Sequence, residues 1–144
     1  MANFATRPVL LGTDLALSTT TQEHPLGLRV SDELGNEYVY IQANGAIAVS
    51  DSIKVDGAYD CAPLTGAGLI FAVAVVAIAD NSYGFVQTRG VVVANVATST
   101  ADNASLTPVA DSSGDFVTVA AATGVTSAQA LSAESGGLAT VYLF

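Results

Sequence analysis

The sequence predicts an all-β fold: a small β-barrel or sandwich built from two similar halves and preceded by an extended N-terminal arm. Three observations carry this. Short Val-rich runs recur with turn residues every 8–12 positions, the pattern of a sandwich or barrel. Two stretches echo each other at an offset of 53: Ser82-Tyr-Gly-Phe-Val-Gln-Thr-Arg-Gly90 and Ser135-Gly-Gly-Leu-Ala-Thr-Val-Tyr142. Their alignment sets Ser82 on Ser135, Gly84 on Gly137, Phe85 on Leu138, and Ala77-Ile78 on Ala130-Leu131. A weaker echo, Ala48-Val-Ser-Asp-Ser52 with Ser99-Thr-Ala-Asp-Asn103, lies at an offset of 51, so an indel of two separates the copies. Two units of roughly 50 residues are too few for a solenoid and fit two halves of one small domain.

Residues 1–26 keep no period of 2 or 3.6. Pro8 and Pro25 hold Arg7 and His24 extended. The segment reads as an arm spanning up to about 85 Å when stretched, mobile when free. The β-rich domain is 27–144. Leu28-Arg-Val30 and Glu37-Tyr-Val-Tyr-Ile-Gln42 form a hairpin around Gly35-Asn36. Alternation puts Tyr38, Tyr40 and Gln42 on one face, Val39 and Ile41 on the other. After the Asn44-Gly45 turn, Ala46–Val49 reads as a strand. Ser50-Asp51 turns into strand Ile53–Val55, and Asp56-Gly57 turns again.

The apolar run from Gly66 to Ala79 is too short for a bilayer-spanning helix, which needs about 20 residues. Its Val/Ile/Phe content favours buried strand. Ser82–Gly84 reads as a turn into Phe85–Arg89, with Val91–Ala94 following Gly90. Ala101–Ser105 and Asp111–Asp115 read as turns, and Leu106–Val109 and Phe116–Ala120 as strands. Val125–Ser132 has the Ala content of a helix, but the repeat makes it a strand. Val141–Phe144 is a terminal apolar strand. No basic n-region precedes an apolar stretch at the N-terminus, so no signal peptide is visible.

Charge excludes several function classes. The 144 residues hold 13 acids and 4 bases, a net charge of −9. Without a basic patch the chain is unsuited to nucleic acid or to an anionic membrane. Charged residues make up 12% against about 25% in ordinary domains, while Ala (25) and Val (18) dominate. Such a surface points to cover by other copies or by a partner, the alternative being a monomer with a Ser/Thr/Ala-rich skin.

Chemistry is equally sparse. His24, the single histidine, sits in the arm with no Ser–His arrangement around it. Cys61 has no redox or disulfide partner and reads as a small buried residue. One Cys and one His make no zinc site, and the acids sit at turns, where they bond backbone N–H groups. The glycines form no phosphate cradle. No catalytic, cofactor or metal residue is therefore expected. A paired-carboxylate glycosidase would bring aromatic sugar platforms, and the chain has no Trp. Phe85, Gln87 and Arg89 share a strand face, and Arg89 is either an exposed strand end or half of an intersubunit charge pair. With Tyr142 and Phe144, these residues are the expected subunit interface.

Leu28-Arg-Val30 with Gly35-Asn-Glu-Tyr-Val-Tyr-Ile-Gln42, then Gly45-Ala-Ile-Ala48, the Ser82–Gly90 stretch, and Ala133-Glu-Ser-Gly-Gly-Leu-Ala-Thr-Val-Tyr-Leu-Phe144 resemble the small head decoration (cement) proteins of tailed bacteriophages. The resemblance runs from about Gly27 to Phe144. It implies a non-enzymatic virion protein, a homotrimer made in the host cytoplasm and placed on the outer capsid surface, where it clamps major capsid proteins. On this reading the arm docks on the capsid through Phe4, Arg7, Pro8, Leu10 and Leu11. The alternative is a tail-fibre or receptor-binding β-module.

Overall fold

The computed structural model describes residues 14–62, 70–108, 116–118 and 127–144. Ten strands form one hydrogen-bonded sheet, and no helix occurs among the described residues. They are β1 (Arg29–Ser31), β2 (Glu37–Ala43), β3 (Ser52–Val55), β4 (Asp60–Ala62), β5 (Ile70–Ala74), β6 (Tyr83–Asn95), β7 (Ser105–Pro108), β8 (Phe116–Thr118), β9 (Ala128–Ala130) and β10 (Leu138–Leu143).

The first half closes on itself. β2 pairs β4 in parallel, β4 pairs β3, β3 pairs β5, β5 pairs β6, and β6 returns to β2. The ring encloses Val39, Ile41, Ala43, Ile47, Ile53, Val55, Ala72, Ala74, Ile78 and Val86, nearly all without exposed surface. Apart from the bridge residues Ile47 and Ile78, these are alternate residues of their strands, so the period of 2 decides which side chains meet inside. The second half repeats the order through β6, β10, β9, β7 and β8 around Ala94, Leu106, Ala128, Ala130, Val141 and Leu143. The thirteen-residue β6 belongs to both halves.

The expected duplication is present, but its register differs from the sequence alignment. Ser50 N–H donates to the Ala74 carbonyl at 2.8 Å, and Asn103 N–H donates to Ala130 at 3.0 Å. Ala74 N–H then donates to Asp51 and Ala130 N–H to Ala104. Ser50 and Asn103 both have positive φ, 70° and 62°. Ala48 therefore corresponds to Ala101 and Ser52 to Ser105. In the same way Ala43 N–H meets the Ser82 carbonyl and Val96 N–H the Gly137 carbonyl, so Tyr83, not Phe85, corresponds to Leu138. The pairings of Ala48–Ser52 and of Ser82, Gly84 and Phe85 are displaced by two residues, while Ala130 corresponds to Ala74 and not to Ala77, a displacement of three. A two-residue slip leaves every strand side chain on its original face, so hydrophobic pattern cannot detect it.

Other expectations change in detail. Ala46–Val49 contributes one bridge, Ile47 to Ile78, and no strand. The turn before β6 is at Asp80-Asn81, so Tyr83 and Gly84 are already strand. Gly84 is there because a Cβ would meet the Ile78 side chain at 2.9 Å. The apolar run forms a strand only over Ile70–Ala74, and residues 66–69 lie outside the described set. The strand β4 breaks no turn rule, but it is too short and acidic to be read from pattern. The hairpin β1–β2, the strands β3, β7 and β9, and the turns at Asp56 and Asp102 fall where the sequence puts them. The turn at 111–115 lies outside the described residues.

Residues 14–26 are not a free arm. Thr19 and Tyr83 exchange backbone hydrogen bonds of 2.9 and 2.8 Å. Leu15, Leu26 and Leu28 pack on Val30, Tyr38, Tyr40 and Phe85. His24 stands edge-on to Tyr40, ring centroids 5.1 Å apart. The contacts are all with residues distant in sequence, which is why no local period marks the segment. Residues 1–13, including Phe4, Arg7, Pro8, Leu10 and Leu11, lie outside the described residues.

Candidate functional site

The strand faces leave two surfaces to consider, and they differ in what covers them. On the outside of the first unit, Tyr40, Phe85 and Tyr83 of the sheet and His24 of the segment 14–26 form an aromatic cluster. Between segment and sheet lies a cleft of about 150 Å³ lined by Asp14, Leu17, Thr19, Glu23, His24, Tyr40 and Phe85. Ligand pockets run to roughly 300–1,000 Å³. This one is the gap where a strap crosses a sheet. Glu23 N–H donates to the Tyr40 hydroxyl at 3.1 Å and helps fasten the strap.

The second surface is the outer face of β6, β10 and the end of β9. Val91 stands opposite Tyr142, Val93 opposite Thr140, and Asn95 opposite Leu138. Val91 and Val93 are each 49% exposed, and Leu131, Leu138 and Phe144 are also exposed. The Tyr142 and Phe144 rings meet at 5.8 Å. No Asp, Glu, Lys or Arg is among these residues. This is an uncharged apolar face on a strongly acidic chain.

Of the expected interface residues, Tyr142 and Phe144 lie on this face. Phe85 and Gln87 do not. Both are 2% exposed and covered by this chain itself, so neither has surface to offer a sister subunit. Gln87 is used internally: its amide donates to the carbonyls of Arg89 and Val91, each at 3.0 Å. Arg89 is exposed, and its charge partner is in its own chain, Glu37 at 3.4 Å. An exposed pair of this kind contributes little to stability. Sequence reading missed Val91 and Val93 because Val91-Val92-Val93 shows no alternation. Val92 turns inward and its neighbours outward, with the same residue type on both sides.

The turn acids bond backbone. Asp32 Oδ1 accepts from Leu34 and Asn36 N–H, Asp56 Oδ1 from Ala58 and Asp60 N–H, and Asp80 Oδ1 from Gly45 N–H. Glu134 accepts from Gly137 and Ser99 N–H. No group of three or more His, Cys, Asp or Glu that could hold a metal ion occurs among the described residues.

Asp51 is the acid with most at stake. It is 8% exposed, accepts from Ala48 N–H at 2.8 Å, and accepts from the Asn95 amide at 2.9 Å. Asn95 N–H in turn donates to the Ser50 carbonyl. Asp51 thus ties the first unit to the far end of β6. Replacing it by Ala takes the acceptor from the Ala48 N–H and the Asn95 amide, in two part-buried hydrogen bonds to a charged group, and we expect a loss of about 2 kcal/mol in urea unfolding at unchanged m. A loss under 0.5 kcal/mol would show that the tie is not needed.

Two buried groups set the alkaline limit. Burial raises the Tyr38 hydroxyl to about 12, and the charge of Asp32, to which it donates a hydrogen bond, adds to this. Burial likewise raises the Cys61 thiol to about 12, with Asp60 and Asp56 contributing. Both groups hold their protons more tightly folded than unfolded, where they titrate near 10 and 9. Their stabilising contribution is full below pH 9 and is lost as the pH rises towards 12. The melting temperature should fall steeply across that window, and less steeply for Cys61→Ala. Cys61 should also resist thiol reagents until the chain unfolds.

No protein-family model matches the chain, and a search of curated proteins finds no significant match.

Proposed function

We propose that this chain is a structural component of a virus particle: a capsid decoration protein on the outer surface of a tailed-phage head, working as a homotrimer that braces contacts between major capsid proteins. The observation that carries the reading is the uncharged apolar face of β6, β10 and β9, exposed on a chain of net charge −9. Apolar patches of that kind mark places where another protein sits. The rest of the described molecule supports it. Its acids bond backbone, its histidine packs from the strap onto Tyr40 and Phe85, its cysteine is buried, and its cleft is too small for a substrate.

The physical economy of the role agrees. A shell under pressure from packaged DNA is strengthened by many identical braces, each of modest affinity, because avidity multiplies them across the lattice. An acidic exterior keeps such particles dispersed and does not hold DNA.

The test is co-sedimentation of the purified chain with undecorated phage heads, expanded and unexpanded. Saturable binding to expanded heads, in a fixed ratio to the major capsid protein, is expected. Failure to pellet with either form would remove the proposal. Truncation should stop at residue 13. Removing residues 14–20 as well strips Leu15 from the aromatic cluster and Thr19 from Tyr83, so lost binding would then report a damaged fold.

A further inference from the structure

The duplication allows the two outer faces to be compared position by position. In the first unit Tyr38 stands opposite Gln87, and Tyr40 opposite Phe85. The matching pairs of the second unit are Val91 with Tyr142 and Val93 with Thr140. The first set is buried, because Leu15 and Leu26 of the chain's own N-terminal strap, with Leu28 and with Val30 of β1, pack against it. The second set has no strap among the described residues. A surface of the same ancestry in the fold is finished in one unit and bare in the other.

We propose that the bare face is filled by residues 1–13 of a second copy of this chain, laid across β6 and β10 as residues 14–26 lie across the first unit. The chemistry of the segment fits. It carries Phe4, Pro8, Val9, Leu10 and Leu11, holds no acid, and has Arg7 as its single charged side chain. On a chain with 13 acids, this segment and the bare face are two surfaces free of them, so two like-charged copies meet there with least repulsion. Thirteen residues span up to about 43 Å extended, ample to cross three strands about 4.8 Å apart. A second copy is favoured over the same chain by the turn at Asp14. Thr19 pairs antiparallel to Tyr83, so the strap read backwards from Thr19 runs along β6 towards the second unit. Leu17 N–H then closes a turn on the Asp14 carbonyl, which reverses that direction at the point where the strap begins. This assigns to a neighbouring subunit the residues that the sequence assigns to the capsid. It stands whether or not the assembly binds a head.

The test uses the full chain, a deletion of residues 2–11, and Val93→Glu, all in sedimentation equilibrium, with melting temperature as the control for folding. The full chain should associate. Both variants should melt within a few degrees of it, and both should weaken association at least tenfold. Leu10→Cys and Val93→Cys chains, mixed and gently oxidised, should give a disulfide-linked pair in preference to either homodimer, since Cys61 is buried and does not compete. A full chain that is monomeric at high concentration would overturn the proposal. So would undiminished association after the deletion, which would mean that the faces meet each other directly. A chain carrying both cysteines that closes only an internal bridge would place the segment on its own subunit and overturn it as well. Loss of head binding with association intact would count against the proposed function alone.

Discussion

Phe85→Ala should be the most damaging single truncation in the described molecule, costing about 3–5 kcal/mol. Phe85 is 2% exposed, with its ring 5.0 Å from that of Tyr40 and 5.6 Å from that of His24. It is the floor on which the strap of residues 14–26 rests. Removing the ring forfeits its transfer from water and leaves a cavity that the β-sheet on one side is too stiff to fill. The strap can sink only by giving up the Thr19–Tyr83 hydrogen bonds. The variant should therefore lose stability in urea and also become cleavable within residues 14–26 under native conditions. Phe144→Ala is the control. The residue is 62% exposed, and its truncation should change monomer stability by less than about 0.5 kcal/mol. If the two substitutions cost the same, the strap is not held by the aromatic cluster.

Gly90→Ala ranks second, at about 2–4 kcal/mol, from backbone strain and a broken hydrogen-bond network together. Gly90 lies within β6 where the strand passes from one unit to the other, at φ 98°. An L side chain is strained there, and its Cβ would run into the Asn36 carboxamide. That group cannot easily yield. Its Oδ1 accepts from Val91 N–H at 3.1 Å, and its Nδ2 donates to Asp32 at 2.8 Å. The Gln87 amide braces the same kink from the buried side through the carbonyls of Arg89 and Val91. Gly35→Ala separates strain from collision. Gly35 has φ 83° but nothing within 4 Å of its missing Cβ, so strain alone applies, about 1–2 kcal/mol. Equal losses at the two positions would mean that the Asn36 contact is soft.

The fold was legible in the sequence wherever one residue reported on its own face. Alternation in Glu37–Gln42 located β2, and turn residues located the β1–β2 hairpin before it. Three things escaped for physical reasons. The register of the duplication was lost because a slip of two residues is invisible to a period of 2. β6 was divided at Gly90 because glycine signals a break, whereas here it is a kink within a continuous strand. The strap was taken as free because all that holds it, Thr19 on Tyr83 and His24 on Tyr40, is non-local. The candidate surface was half visible. Tyr142 and Phe144 follow from the terminal strand pattern, while Val91 and Val93 are hidden in a run of three valines.

The reading of the chain as a capsid brace meets its most direct test in an image reconstruction of expanded phage heads with and without the protein. The account predicts added trimeric density on the outer surface, over the joints where three major capsid proteins meet. Identical maps, or density confined to a tail or fibre, would contradict it.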